Sequence, residues 1–479
     1  MSHSTAFERN LPPRGAVENA LRDTRQAVFW LEDAGDETRY PTLTADTTAD
    51  LVVVGGGYCG LWTAIRAKQR DPGARVVLLE AKTVGWAASG RNGGFCEASL
   101  THGEGNGEAR WPDEMSVLDR LGMENLDAIE RSVAELGLDC EFERNGSLDV
   151  AVEEHQVEWL REGDGVFLDQ EAIRAQVNSP TYLAGSWNRR TSALVHPAKL
   201  AKELARAAVS LGVDVFEHSA VAGLSSDTRG GSGSARLSSR VSVTTDRATV
   251  RAAQIALATN VFPSLVGRDR LMTVPVYDYV LMTEPLTPSQ LASIGWQGRQ
   301  GIGDLANQFH YYRLTADNRI LWGGYDAVYH FGRRVDPSYE ERSATFSKLA
   351  AHFFSTFPQL DGVRFSHRWA GAIDTSTQFC AFFGLSHGGR VASAAGFTGL
   401  GVASTHFAAD VMLDRLAGLD TERATLSMVT KRPLPFPPEP VAFLGVQATR
   451  WALNRADHSR GKRNLLLRTL DAVGLGFDS

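Results

Sequence analysis

The sequence predicts an α/β protein: a mixed sheet opened by a βαβ unit, joined to a second, largely antiparallel α+β domain. Three observations predict it. A short β-branched strand at residues 51–54 runs into three glycines and a helix-forming stretch at 61–68, and after the turn Asp71-Pro72-Gly73 an apolar strand occupies 75–80. Buried strands recur at 255–258 and 390–395, separated by a long segment rich in Tyr, Phe and Trp. The 479 residues exceed the roughly 100–200 that one core organises, so the first domain is expected to be interrupted by the second.

Residues 1–48 are polar, with Trp30 and Leu31 as the apolar anchor, and read as an arm over the main body. The first domain is expected from 49–140, 190–262 and 364–430, and the second domain from 141–189 and 263–363. Helices are expected at 115–138 and 197–212, the latter with Pro197 in its first turn and Gly212 at its stop. Ser338, with Glu341 three residues later, predicts a capping box that opens a helix towards Phe357. The run Arg229-Gly230-Gly231-Ser232-Gly233-Ser234 has no strand before it and no helix after it, so it reads as a hairpin tip, not a phosphate loop. Pro433, Pro435, Pro437 and Pro438 mark a linker, and residues 431–479 carry eight basic side chains against four acidic ones. This basic helical tail is expected to pack on the body or on a sister subunit in a homo-oligomer. Its apolar stretch at 464–470 is too short to favour membrane contact.

A net charge of −7 and a pI near 6.0 give no general attraction to phosphate backbones, which excludes nucleic acid as a partner and disfavours an RNA-modifying role. Cys59, Cys96, Cys140 and Cys380 are far apart and form no zinc or dithiol pattern, so they read as buried thiols and no metal site is expected. The first twenty residues lack a charged region followed by an apolar core, which predicts a cytoplasmic protein. The stretch 391–409 has no Asp, Glu, Lys or Arg but is built from Gly, Ser, Thr and Ala, and no membrane span is expected.

Gly55, Gly57 and Gly60 stand in Gly-x-Gly-x-x-Gly spacing between strand and helix. Gly55 permits the sharp turn, Gly57 lets a pyrophosphate approach, and Gly60 lets helix and strand pack closely. The helix N-terminus offers free N–H groups and partial positive charge to the phosphates. Glu80 ends the next strand 20 positions after Gly60, where a carboxylate can accept both ribose hydroxyls. It also argues against a 2′-phosphate and hence against NADP. The glycine-rich stretch 85–95 leaves room for a second planar, phosphate-linked group, with Arg91 able to neutralise a phosphate or a reduced ring; by composition alone it is equally an ordinary turn.

Ala88-Ser89-Gly90-Arg91-Asn92-Gly93-Gly94 resembles the flavin-contacting signature of the D-amino acid oxidase superfamily, especially the branch similar to γ-glutamylputrescine oxidase. Further matches are Val195-His196-Pro197, Ala258-Thr259-Asn260, Tyr312-Arg313, Trp369-Ala370-Gly371 and Ala395-Gly396-Phe397-Thr398-Gly399-Leu400-Gly401, so the resemblance covers roughly residues 28–430. It implies a Rossmann-like FAD-binding domain in discontinuous segments, with a substrate domain whose sheet covers the isoalloxazine. The implied cofactor residues are Gly55, Gly57, Gly60, Glu80, Ser89, Arg91, Asn92, Gly93, Val221 (through its backbone, to adenine), Thr259, Gly396, Thr398, Gly399, Leu400 and Gly401. The last five precede a helix whose start would face flavin N1 and C2, stabilising the reduced form by about 0.3–2 kcal/mol. FAD is expected to be non-covalent, because Cys380 does not reproduce the tethering motif of sarcosine oxidases.

The resemblance also implies hydride transfer from an amine-bearing carbon to flavin N5, giving an imine that hydrolyses to an aldehyde, with O2 or another acceptor taking the electrons and O2 yielding H2O2. Only one βαβ fingerprint is present, so the electrons are expected from the organic substrate. Tyr277, Tyr279, His310, Tyr311, Tyr312, Arg313 and Trp369 are candidates for an aromatic cage around an amine, with Tyr279, Tyr312, Arg313 and Trp369 as the catalytic set. Each competes with a packing role, which is favoured for His310. Where glycine oxidase-like members carry a carboxylate-gripping Arg, this chain has Ile373, which points to an amine. The alternatives are an amino-acid or imino-acid oxidase anchored by Arg313, and a non-catalytic binding protein stabilised by its flavin.

Overall fold

The computed structural model describes residues 3–35, 38–226 and 240–472, whose strands form three sheets. In the first, Thr47–Val54 runs parallel between Val76–Leu79 and Thr249–Leu257, with Val52 opposite both Val77 and Ile255. Val213–Phe216 extends the sheet beyond Val76–Leu79, and Val391–Ala395 joins Thr249–Leu257 from the far end of the chain. These strands are covered on both faces, which is why they read as continuous apolar runs and not as alternation. The helix Tyr58–Arg70 packs between Pro197–Ser210 and Gly401–Ala417. Arg66 and Arg70 on it pair with Asp410 on Gly401–Ala417 at 3.0 and 2.7 Å, fixing the two helices in register.

The second sheet has the path Arg25–Gln26, Phe365–Ser376, Thr273–Thr283, Ile320–Gly324, His310–Leu314, Gly301–Asp304, Ser147–Ala151, Ala184–Asn188, Val166–Leu168. Its strands alternate as a period of two requires. Tyr277, Tyr279 and Leu281 pack with Tyr312 and Trp322 under the helix Ser343–Thr356, while Val280 and Met282 turn to the other side against Trp369 and Trp30. The third sheet is the pair Phe95–Glu97 and Ser192–Leu194 between the two larger ones.

Several expectations change. Phe365–Ser376 pairs along nearly its whole length with Thr273–Thr283, so the stretch from 364, expected in the nucleotide domain, opens in the second domain; the chain returns to the first sheet with Phe382–Ser386 and Val391–Ala395. The capping box at Ser338 does not open the long helix. Asp336 Oδ1 instead accepts from Ser338 N at 2.9 Å to cap a short 3-10 turn, Pro337–Glu340, and the helix begins at Ser343. Helices form at Met115–Glu135 and Pro197–Ser210, the latter capped by His196 Nδ1, which accepts from Lys199 N at 3.2 Å.

The arm adds Arg25–Gln26 to the second sheet and buries Trp30 completely, which stabilises by roughly 2–3 kcal/mol; its Nε1 donates to the Asn92 carbonyl at 2.9 Å. The tail helix Val441–Asp457 lies against the second domain. Arg450 pairs with buried Asp326, and Asp457 Oδ1 accepts from Asn307 N and Nδ2 at 2.9 and 2.7 Å. The segment 229–234 lies outside the described residues. All four cysteines are buried and free, and no described helix is long and apolar enough to cross a membrane.

Candidate active site

Gly55 has φ +116°, closed to other residues, because the turn must pass the Ala258 carbonyl; a side chain at Gly60 would strike the Gly55 carbonyl. A Cβ on Gly57 would lie 2.8 Å from Ser89 Oγ, so the glycine turn and the Ser89 loop form one narrow cradle. Ser89 Oγ accepts from Tyr58 N at 3.0 Å, at the start of a helix that has no side-chain cap of its own. Glu80 is buried at the end of its strand. Its Oε2 accepts from Gly56 N at 2.7 Å, and its Oε1 accepts from Lys82 N and Trp86 Nε1 at 2.8 and 2.9 Å, which leaves a carboxylate lone pair on Oε2 for a ribose hydroxyl.

Val221 lies just past Ser219, whose N–H donates to the Glu80 carbonyl at 2.8 Å, so it borders the acid's end of the cradle. Thr259 follows Ala258, whose N–H donates to the Val54 carbonyl at 2.9 Å beside the Gly55 turn. On the opposite side, Gly396, Thr398 and Gly399 all have positive φ (78°, 47° and 92°), folding a tight loop in front of the helix Gly401–Ala417. Leu400 gives that helix no side-chain cap either. Two helix N-termini whose own N-cap residues bond none of the first-turn N–H groups, a glycine cradle and a strand-end carboxylate are the donor and acceptor set that a dinucleotide needs, and the residues fit FAD.

Asp374 ties the cradle's two sides. It is buried, accepts from Gly396 N at 2.5 Å, and its charge is felt by Cys59 on the glycine-turn helix. Burial pushes its carboxyl up to about 7 against the pull of the Gly396 and Phe397 N–H groups and the Asn260 side chain.

The 88–94 loop departs from expectation in two side chains. Asn92 is spent on folding the loop: Nδ2 donates to the Ala88 and Ser89 carbonyls and Oδ1 accepts from Gly94 N at 2.8 Å. Arg91, expected to neutralise a phosphate or reduced ring, is already paired with Glu340 at 2.6 Å and donates to the Trp86 and Ala370 carbonyls. It clamps the loop to the second domain. Gly93 faces Tyr311, whose ring would lie 2.6 Å from a Cβ there.

Of the catalytic set, Tyr312 and Tyr279 face away from this cradle. Tyr312 is buried among Trp296, Trp322 and Phe357 and hydrogen-bonds Tyr182 Oη at 2.6 Å; Tyr279 packs on Phe346 and donates to the Tyr339 carbonyl at 2.7 Å. The aromatic richness that singled them out belongs to the packed face of the sheet. Trp369 lies on the cradle side but is fully buried, its Nε1 donating to the Arg91 carbonyl at 2.8 Å, so it positions the loop. Arg313 is also on that side but 2% exposed, with its guanidinium donating to the Val195 carbonyl at 2.6 Å and lying 5.6 Å from the centre of the Trp30 ring. His310 is core: it bonds Asp304 at 2.7 Å and His352 at 3.0 Å.

Neighbours one residue away supply what those tyrosines do not. Tyr311 turns towards Gly93 and its hydroxyl donates to Asp278 Oδ2. Burial raises Asp278 to about 6, opposed by the Tyr311 hydroxyl and the Tyr279 and Gly324 N–H groups. Asp278 was legible as the one charge inside the otherwise apolar strand Thr273–Thr283, but the aromatic run drew attention from it. Among the described residues one trio, Asp33, Glu141 and His196, brings three ligand atoms within 4.8 Å, yet Lys199 Nζ sits 2.5 Å from Glu141 and already supplies the positive charge.

The chain matches the FAD dependent oxidoreductase (DAO) family over residues 50–415 and belongs to it: it is an FAD-dependent oxidoreductase. It is 31% identical over 406 residues to the gamma-glutamylputrescine oxidoreductase of Escherichia coli strain K12, covering 82% of this chain and 89% of that one. It is 26% identical over 419 residues to a probable oxidoreductase, OrdL, of Haemophilus influenzae, covering 83% and 89%. Among solved structures, glycine oxidase from Geobacillus kaustophilus superposes with TM-score 0.64 at 18% identity (81% of this chain, 99% of that one), and L-proline dehydrogenase from P. horikoshii with 0.63 at 17% (79% and 95%).

Proposed function

We propose that the protein oxidises the C–N bond of a small amine, giving an imine that hydrolyses to an aldehyde, with O2 or another acceptor taking the electrons and H2O2 formed when it is O2. The bound flavin supplies the hydride acceptor at N5. One observation carries the preference for an amine: the acid bonded to Tyr311, whose ring faces Gly93, is Asp278, half-buried and without an ion-pair partner among the described residues, while both nearby guanidiniums are engaged, Arg91 with Glu340 and Arg313 with the Val195 carbonyl. Ile373 leaves no replacement clamp for an α-carboxylate.

In this reading Asp278 holds the substrate ammonium, and Tyr311, donating to Oδ2, fixes the carboxylate's orientation. The raised proton affinity of Asp278 brings it closer to that of an amine, easing the proton removal that frees the nitrogen lone pair. Trp30 and Trp369 close the site from behind and exclude water. The relative named for gamma-glutamylputrescine supports an amine. FAD is held without a covalent bond: Cys380 is fully buried and burial pushes its thiol up to about 12, so no thiolate is on hand. A homo-oligomer through the tail rests on exposed Leu444 and Trp451 and is read from the mass in solution.

The test is anaerobic reduction of the purified flavoprotein by a panel of polyamines, N-alkyl amines and α-amino acids. Bleaching by amines with an aldehyde product supports the reading. Bleaching by α-amino acids alone, with Arg313→Leu raising KM for them, overturns it in favour of an amino-acid oxidase.

A further inference from the structure

We infer that Glu97 and Asp149 form a distal cation subsite, so that the preferred substrate is an amine bearing a second positive charge. The inference rests on the amine-oxidising reading above. Cross-strand registers place one row of residues on the cradle-facing side of the second sheet: Trp369 opposite Val280, Val280 opposite Gly323, Gly323 opposite Tyr311, Tyr311 opposite Gly303, and Gly303 opposite Asp149. Two of the six are glycines, so the sheet offers a floor with no side chain beside Tyr311, and the row ends in a carboxylate. Asp149 lies two strands from Tyr311, about 10 Å at about 4.8 Å per strand.

Glu97 meets Asp149 from the other wall. On the strand Phe95–Glu97, Phe95 and Glu97 share a face; the Phe95 ring packs over Gly301 and edge-on to Tyr311, 5.7 Å between ring centres. Glu97 is thereby carried along the same floor towards Gly303 and Asp149, close enough that the Asp149 charge acts on it. Ser192 stands directly opposite Glu97 across the strand pair, 1% exposed, and its Oγ has no hydrogen-bond partner among the described residues. Neither carboxylate has an ion-pair or hydrogen-bond partner among the described residues. Asp149 stands open to solvent at the end of the row, while Glu97 is half-buried.

A half-buried, unpaired carboxylate beside an orphan buried hydroxyl is costly in an empty fold. Burial raises Glu97 to about 7, with Asp149 adding to the rise. A cation between them offsets both effects, and Ser192 Oγ supplies a further acceptor. With one ammonium at Asp278 and a second charge at this wall, a flexible diamine spans the glycine floor.

The experiment uses the FAD-loaded protein, wild type and the near-isosteric Glu97→Gln, Asp149→Asn and double variants. An α,ω-diamine, the monoamine of equal length and the ω-amino acid of equal length are compared by KM and kcat under air and by anaerobic flavin reduction. A bis-quaternary alkane diammonium, which is not oxidised, is titrated calorimetrically. Expected are a wild-type preference for diamine over monoamine of about tenfold or more in KM, a weak ω-amino acid, and loss of that preference in the double variant. Affinity for the bis-quaternary probe should fall by about tenfold to a hundredfold, in line with loss of close charge pairing. Equal losses for diamine and monoamine, or unchanged probe affinity in the double variant, overturn the subsite while leaving amine oxidation standing. If no amine bleaches the flavin but probe affinity still depends on the two carboxylates, the oxidation reading fails and the subsite stands.

Discussion

The two faces of the second sheet are made from the same strands and do opposite work. Towards the helix Ser343–Thr356, the sheet presents Tyr277, Tyr279, Tyr312 and Trp322, interlocked with Phe346, Phe353 and Phe357. Polar atoms there are largely satisfied within the core: Tyr182 bonds Tyr312 and His310 bonds Asp304 and His352. Towards the cofactor cradle, the same strands present Gly303, Gly323 and Gly371 with Tyr311, Asp278 and Asp149. The difference teaches that a period of two lets one strand serve the core and the chemistry in adjacent residues, so a one-residue error in reading it exchanges the two roles.

The comparison can be broken most forcefully on the packed face. Trp322→Ala removes a completely buried ring and should cost about 3–5 kcal/mol in denaturant unfolding, while the folded fraction keeps its flavin spectrum. A flavin-reduction defect in that folded fraction, larger than its stability loss explains, would mean the faces are not separable.

Asp278→Asn on the other face should invert the pattern, lowering kcat/KM by about a hundredfold with no loss of stability at neutral pH. It should also remove a pH limb. The Asp278 carboxyl is raised from 3.8 to about 6, so wild-type kcat/KM should climb as pH rises through about 6, whereas the variant lacks this limb. The sign for stability is the reverse. A raised carboxyl favours the protonated folded state, so its contribution is present below about 4 and lost as pH rises towards about 6. Urea unfolding of wild type and variant across that window checks it.

The smallest effect belongs to the tail. Arg450→Ala leaves Asp326 buried with Thr345 and the more distant Arg342 as its side-chain partners among the described residues, and should cost about 1–3 kcal/mol by thermal unfolding without altering flavin reduction. A change in reduction rate would place the tail in the site.

The cofactor half of the site was legible because its chemistry demands a contiguous pattern: strand, Gly55, Gly57, Gly60, helix, then Glu80. The late glycine loop before Gly401 was legible for the same reason. The substrate half was not, since its residues come from six strands whose order and facing no local spacing records. Tyr312 and Tyr279 carry the composition of a cage, but Tyr311 and Asp278, their immediate neighbours, face the cradle. The stretch from 364 is expected in the nucleotide domain, yet Phe365–Ser376 pairs with Thr273–Thr283, a partner some ninety residues away that no local pattern announces. Arg91 looked free in sequence because its partner Glu340 is 249 residues away.

Adjacent residues on opposite faces give the most direct test of the central claim. Anaerobic stopped-flow reduction of the flavin by a saturating amine is compared in Asp278→Asn and Tyr279→Phe. The account predicts a reduction rate at least about tenfold slower for Asp278→Asn. For Tyr279→Phe it predicts a wild-type rate, with only a stability loss of about 1 kcal/mol from the missing bond to the Tyr339 carbonyl. A slow Tyr279→Phe beside an unaffected Asp278→Asn would contradict it.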